Sequence, residues 1–150
     1  MQRFSHPAYS FSLVFFQFAS LAALLVTGPW FLAQTVGLSL QIMGILVGVW
    51  ALKTMRWHQF NIVPDPRADA ALVQTGPYRW VRHPMYLSIL LFFSPLVIAQ
   101  PSGFRLGILA MLFITLLIKL HYEETLLVQQ YQQAYRDYQA STQKILPWIF

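Results

Sequence analysis

Four apolar runs divide the chain, and each predicts a membrane helix or part of one. Residues 11–33 carry no charge, and as a helix they would be roughly 34 Å long, enough to cross a bilayer core of about 30 Å. Residues 38–52 are followed by Lys53 and Trp57, a basic and aromatic edge typical of a membrane interface. Runs 86–99 and 106–120 are each shorter than the roughly 20 residues that usually span alone.

These runs predict an all-α integral membrane protein with about four transmembrane helices. Between the last two runs, "QPSGF" contains Pro101 and Gly103, which favour a turn and predict a short antiparallel helical hairpin. A re-entrant hairpin is the alternative. A cleavable signal peptide is the alternative for the first run, although signal h-regions are typically only about 7 to 15 residues long.

Two further features concern helix packing and the C-terminal part. Gly44 and Gly48 form a small-xxx-small pair, which either lets another helix approach closely or is incidental. A short helix is predicted around residues 68–73. After the fourth run, apolar and aromatic residues recur at helical spacing on one face, which predicts a C-terminal amphipathic helix. That face consists of Leu127, Tyr131, Ala134, Tyr135 and Tyr138.

Composition agrees with the membrane prediction. Hydrophobic residues make up 57% of the 150 residues and charged residues only 10%, whereas soluble domains carry about 25% charged residues. Nine of the ten Lys and Arg residues lie on or border one side of the predicted topology, and only Arg105 lies on the other. The positive-inside rule therefore predicts cytoplasmic termini and a cytoplasmic long loop, in the inner membrane if the source is bacterial. Because the basic residues flank apolar runs, nucleic-acid binding is not expected.

The stretch "GPYRWVRHPMYLS", residues 76–88, concentrates charge at the start of the third run. Pro84 suits the first turn of a helix, and a helix N-terminus beside Arg82 and His83 favours an anion. The alternative is that Arg79 and Arg82 only anchor the segment to lipid headgroups. Since headgroups and water can satisfy such a charge, the sequence alone gives Arg82 no role in folding.

Two of the five acidic residues, Glu123 and Glu124, are adjacent at the end of the fourth run, near Lys119 and His121. Antiparallel hairpin geometry is expected to bring this end beside Arg82 and His83. The alternative is an exposed glutamate pair that solvates the helix end.

These motifs resemble the isoprenylcysteine carboxyl methyltransferase family, which is related to membrane phospholipid methyltransferases. The resemblance rests on "GPYRWVRHPMYLS", "EETLL", the tyrosine series and the terminal "LPWIF", and it covers roughly residues 63–150. It implies a single membrane-embedded domain over 1–150 that binds S-adenosylmethionine from the cytosol. The implied substrate is a lipophilic or lipidated acceptor that enters from the bilayer.

The resemblance also assigns site residues. The Arg-His-Pro-x-Tyr element maps to Arg82, His83, Pro84 and Tyr86, and the Glu-Glu element to Glu123 and Glu124. Tyr78 joins these six as a cofactor-binding candidate, and the catalytic candidates are Glu124, Lys119 and His121. The sulfonium of the cofactor is already electrophilic, so no metal is expected.

Two positions depart from the family pattern. Ser88 replaces a glycine, and Lys119 stands where some members have an arginine, which keeps the charge but loses the bidentate fork. The methyl acceptor and the oligomeric state stay open. An NADPH-dependent membrane reductase of the sterol reductase type and a non-enzymatic membrane scaffold are the alternative functions.

Overall fold

The computed structural model describes residues 7–55 and 71–146, and the regular structure in these ranges is helical. The helices are α1 (Pro7–Val26), α2 (Thr35–Thr54), α3 (Pro84–Ala99), α4 (Gly103–Tyr131) and α5 (Gln133–Ser141), with a 3-10 helix at Gly76–Arg79. Within the described ranges there is no strand, only an isolated parallel bridge between Val81 and Gln143. The predicted all-α class is confirmed.

The helix α1 is shorter than the apolar run that predicted it. The run extends to residue 33, but the helix ends at Val26, because Pro29 disfavours helical backbone at the residue before it. The connection to α2 has irregular backbone. It is fixed by Gln41 of α2, whose Oε1 accepts from Leu32 N at 2.9 Å and whose Nε2 donates to Trp30 O at 3.0 Å.

Among the described residues, three helices are long and apolar enough to cross a membrane: α1, α2 and α4. The third predicted run, residues 86–99, corresponds to α3, which has 16 residues and is shorter. Many large apolar side chains on the outer surfaces of these helices are exposed, such as Phe15, Leu46 and Phe104. These helices are consistent with an integral membrane protein.

The closest helix contact joins α2 to α3, and a second joins α1 to α4. At the first contact, a Cβ on Gly44 would lie 2.8 Å from the backbone oxygen of Ser88 and 3.0 Å from the nitrogen of Phe92. A Cβ on Gly48 would lie 3.1 Å from Ser88 Oγ. The small-xxx-small pair therefore does admit a neighbouring helix, and Ser88 is the small residue that faces it.

The helix α4 continues well beyond the predicted run, to Tyr131. It breaks at Gln132, where φ is 49°, and α5 follows. On the predicted amphipathic face, Tyr135 and Tyr138 are buried, but Ala134 is exposed. The break is the reason, because it changes the rotation of the residues after it relative to those before it.

Residues 142–146, called here the C-terminal segment, cross the start of α3. The backbone N–H groups of Arg82 and His83 donate to the carbonyl oxygens of Gln143 and Lys144 at 2.8 and 3.0 Å. Gln143 N donates back to Trp80 O at 3.0 Å. The rest of the predicted "LPWIF" motif, residues 147–150, lies outside the described residues.

One end of the helix bundle, the site end, collects the start of α1, the end of α2 and the start of α3. There the rings of Tyr9 in α1 and Tyr122 in α4 pack edge to face with their centroids 5.3 Å apart. Gly76, before α3, lies against Thr54 at the end of α2. At the opposite end, the distal end, Gly28 lies against Arg105. Residues 71–74 have irregular backbone, and the remainder of the helix predicted at 68–73 lies outside the described residues.

Candidate functional site

Arg82 is bound to three separate parts of the chain. Its Nε donates to Glu124 Oε1 at 2.6 Å, and its Nη1 donates to Gln139 O at 3.1 Å and to the carbonyl oxygen of Thr142. The side chain of Arg82 is only 6% exposed. Arg82 therefore ties the start of α3 to α4 and to the C-terminal segment, and is not an exposed headgroup anchor, unlike Arg79, which is exposed.

His83 lies between the two adjacent glutamates. Its Nε2 is 3.3 Å from Glu124 Oε1, and its Nδ1 is 3.7 Å from Glu123 Oε2. Although His83 occupies the N-cap position of α3, its side chain makes no capping hydrogen bond. Each ring nitrogen therefore lies near a carboxylate oxygen, which can accept from it when that nitrogen carries the proton.

Glu123 and Glu124 differ in how many further hydrogen bonds their carboxylates can accept. Both oxygens of Glu124 are engaged, since Oε2 accepts from Gln139 Nε2 at 3.2 Å, and its side chain is 11% exposed. Glu123 accepts from Tyr86 Oη at 2.8 Å through Oε2, and its side chain is 30% exposed. Glu123 therefore has room to accept a further hydrogen bond.

Tyr86 is enclosed on its ring as well as at its hydroxyl. It stacks on His83 with the planes 2° apart and the centroids separated by 5.3 Å. Lys119 Nζ lies 5.6 Å from the Tyr86 ring centroid. Lys119 is itself buried and donates to Gln17 Oε1 of α1 at 2.8 Å. This contact brings a residue of the first helix to the edge of the site.

Three buried tyrosines complete the site end. Burial raises the pKa of Tyr78, Tyr135 and Tyr138 above the ordinary value, and the nearby carboxylate of Glu123 adds to the rise for Tyr78 and Tyr135. Tyr138 Oη donates to Tyr78 O at 2.6 Å. The hydroxyls of Tyr78 and Tyr135 are buried without a hydrogen-bond partner among the described residues.

The structure brings most of the predicted site residues together. Those near the glutamate pair are Tyr78, Arg82, His83, Pro84, Tyr86, Lys119, Glu123 and Glu124. His121 is not among them. It is exposed, and its Nδ1 is 2.8 Å from Leu117 O. It lies about 200° around the helix axis from Glu123, and although it lies only about 60° from Glu124, its ring turns back to that carbonyl oxygen and not to the glutamates.

Sequence reasoning missed Gln17, Gln139 and Thr142. Gln17 is a polar residue within an otherwise apolar predicted span, which is a recognisable signal for an inward-facing position. Gln139 and Thr142 contribute backbone carbonyl oxygens to Arg82, and no side-chain pattern identifies a carbonyl as a binding partner. The side chain of Gln139 also donates to Glu124, a contact that only the folded chain brings about.

An apolar cavity of about 770 Å³ lies between α2, α3 and the C-terminal segment. Its lining includes Leu40, Leu87, Leu91 and Ile145, and it extends to Ala99 at the end of α3. Leu87 follows Tyr86 in the chain, so the cavity begins next to the charged cluster. Its volume falls in the range of about 300 to 1,000 Å³ typical of small-molecule sites.

Comparison with known proteins gives one family. The profile of phospholipid methyltransferases matches residues 32–134, which include α2, α3 and α4 and make up more than half of the chain. The match begins further towards the N-terminus than the resemblance at 63–150, and it includes the second predicted span. No curated protein matches the chain.

Proposed function

Because the chain belongs to the phospholipid methyltransferase family, we propose that it transfers a methyl group from S-adenosylmethionine to a lipophilic acceptor that enters from the bilayer. The observation that carries this proposal is that the charged cluster and the apolar cavity adjoin along α3. Tyr86 belongs to the cluster and Leu87, the next residue, lines the cavity. A polar methyl donor and a lipophilic methyl acceptor would therefore bind at adjoining sites.

The residues at the site end fit the cofactor. The hydroxyls of Tyr78 and Tyr135 are buried and without partners among the described residues, and such groups are satisfied by a ligand or by ordered water. S-adenosylmethionine offers a carboxylate, an amine and ribose hydroxyls. Glu123, which is partly exposed, suits the amine or the hydroxyls, and the positive charge of Arg82 suits the carboxylate.

When bound, S-adenosylmethionine supplies a methyl group on a sulfonium, which is electrophilic without a metal or a nucleophilic side chain. The chain's own residues have three tasks: they hold the reactants in line, exclude water, and accept a proton where the acceptor has one to lose. A carboxylate acceptor loses none. An amine acceptor needs a base, and Glu123 is the candidate because its second oxygen is accessible.

Glu124 and Lys119 act as positioning residues in this proposal. Glu124 fixes Arg82 and His83, and both of its oxygens are occupied by contacts within the chain. Lys119 lies over Tyr86, which in turn donates to Glu123. The exposed His121 has no part in the cluster, so we assign it no catalytic role.

We propose further that the site end faces the cytosol and that the apolar helices cross the membrane about four times, α3 included. The positive-inside rule supports this orientation, because Lys53, Arg136 and Lys144 belong to the site end and Arg105 to the distal end. Reporter fusions at Phe150 and Ser102 test it. A cytoplasmic signal at Phe150 is expected, and a signal from the opposite side would contradict the orientation.

The function is tested by turnover. Purified protein is incubated with radiolabelled S-adenosylmethionine and a total membrane lipid extract, and labelled products are identified by mass spectrometry. Wild-type protein and the matched control His121→Gln should label a lipid-soluble product, whereas Glu123→Gln should label it far more slowly. If wild type labels nothing but reduces a lipid in the presence of NADPH, the protein is a reductase.

A further inference from the structure

Arg105 is a buried cation at the distal end of the bundle. It lies in the first turn of α4 and is only 4% exposed. A Cβ built on Gly28, just after α1, would lie 2.5 Å from Arg105 Nη2 and 2.6 Å from Cζ, so the guanidinium packs directly against that glycine. Its Nη1 donates to Gln100 O at 2.8 Å. The end of α1, the end of α3 and the start of α4 thus surround one guanidinium group.

The charge of Arg105 has no carboxylate partner among the described residues. The nearest described acid along its own helix is Glu123, about 27 Å away at 1.5 Å per residue, and it belongs to the site end. Asp137 lies in α5, beyond the site end of α4. A buried charge without a counter-ion is strongly destabilising, so a buried arginine requires something that compensates its charge.

The hydrogen-bonding state of Arg105 indicates what that compensation is. Its Nε and Nη2 are buried and have no partner among the described residues. These two nitrogens share one edge of the planar guanidinium, which is the edge that binds a phosphate or carboxylate through two parallel hydrogen bonds. An oxyanion at this edge supplies both missing acceptors and the missing negative charge.

The surroundings of Arg105 favour a phospholipid as the source of the oxyanion. Trp30, Phe31 and Phe104 are exposed at the same end, where aromatic side chains mark the headgroup level of a membrane. The backbone carbonyl that binds Arg105 belongs to Gln100, and the preceding residue, Ala99, lines the apolar cavity. A lipid held by its phosphate here has an apolar surface beside it for its acyl chains.

We propose that Arg105, seated on Gly28, binds the phosphate of a membrane phospholipid at the end of the bundle opposite the methyl-transfer site. The site is separate from the proposed cofactor site, and its test requires no cofactor.

The test compares two lipids with the same acyl chains, one with a phosphate headgroup and one without. Delipidated protein in detergent is titrated with phosphatidylglycerol or with the matching diacylglycerol, and bound lipid is counted by native mass spectrometry. Wild type should bind phosphatidylglycerol about ten- to a hundredfold more tightly than diacylglycerol, as expected for a charged bidentate contact. Arg105→Gln should bind the two lipids alike. The matched control Arg136→Gln changes an exposed arginine of α5 and should keep the preference.

Two further arms complete the experiment. Inorganic phosphate that displaces phosphatidylglycerol from wild type supports the same oxyanion site and identifies free phosphate as a second source. Gly28→Ala keeps every charge but displaces the guanidinium, so it should reduce the preference even if Arg105→Gln does not fold. An unchanged preference for phosphatidylglycerol in Arg105→Gln, or in Gly28→Ala where Arg105→Gln does not fold, would overturn the proposal.

Discussion

The contact between Arg82 and Glu124 is expected to contribute to folding as well as to the site. Arg82 donates to Glu124 and to two backbone carbonyl oxygens near the C-terminus, and its side chain is 6% exposed. The change to test is Arg82→Ala, alone and combined with Glu124→Gln. Without Arg82, the C-terminal segment loses this side-chain link to the start of α3 but keeps the backbone hydrogen bonds of residues 80–83 and the buried side chain of Ile145.

The size of the effect follows from burial. Removing one partner of a buried ion pair costs about 3 to 5 kcal/mol, because the other charge remains in place unpaired. Glu124 keeps two contacts, to His83 and to Gln139, so Arg82→Ala is expected near the lower value, about 3 kcal/mol. The double variant removes both charges and should cost less than the sum of the single variants, by about 1.5 to 3 kcal/mol.

The assay is unfolding in detergent micelles, followed by tryptophan fluorescence, for the wild type, both single variants and the double variant. Arg136→Ala is the matched control, since Arg136 is exposed on α5, and it should change the unfolding free energy by less than about 0.5 kcal/mol. Strictly additive costs, or an Arg82→Ala variant as stable as Arg136→Ala, would refute this reasoning.

Two further predictions concern helix packing and buried tyrosines. Gly44→Ala should destabilise the protein by about 1 to 3 kcal/mol, because the new methyl group meets the α3 backbone. Gly107→Ala, with open space around it, should be neutral or stabilising; equal effects of the two in detergent unfolding would contradict the packing. The buried tyrosines outside the apolar helices should remain neutral well above pH 10.0 in the folded protein, so stability should fall as pH rises beyond that value, where the unfolded chain ionises first. They are Tyr78, Tyr135 and Tyr138. Tyrosinate absorbance checks this, and full ionisation of all tyrosines near pH 10.0 without unfolding would contradict it.

The pairing of Arg82 with Glu124 is predictable from the sequence for a physical reason. Two apolar runs joined by a short turn bring the start of one near the end of the other, and Arg82 and Glu124 occupy those two positions. The glycine pair at Gly44 and Gly48 left a close helix approach and coincidence open in the sequence, and the folded chain decides for close approach by placing Ser88 against both glycines.

Other features depend on tertiary contacts that periodicity does not carry. The end of α1 at Val26 is set by the proline that follows it and by the Gln41 hydrogen bonds, so the apolar run overstates the helix. The helix break at Gln132 has no proline or glycine to signal it. The different roles of the two glutamates follow from helix rotation and from Gln139, which only the folded chain brings near.

His121 is a different case, because helical phase alone does not decide its place. It lies about 200° around the helix from Glu123 but only about 60° from Glu124, and the folded chain leaves its side chain exposed, with the ring at Leu117 O. Nearness in sequence to a charged pair therefore does not assign a residue to the site. Lys119, one turn before Glu123, has the right phase and does lie at the site.

The central claim is that the cluster around Glu123 is a site for S-adenosylmethionine, and equilibrium binding tests it most directly. Calorimetry on protein in nanodiscs compares S-adenosylmethionine, its demethylated product and NADPH, for wild type, Glu123→Gln and the control His121→Gln. Wild type and His121→Gln should bind both sulfur compounds saturably and NADPH not at all, and Glu123→Gln should bind them about ten- to a hundredfold more weakly. Saturable binding of NADPH, with no heat from either sulfur compound, would contradict the account.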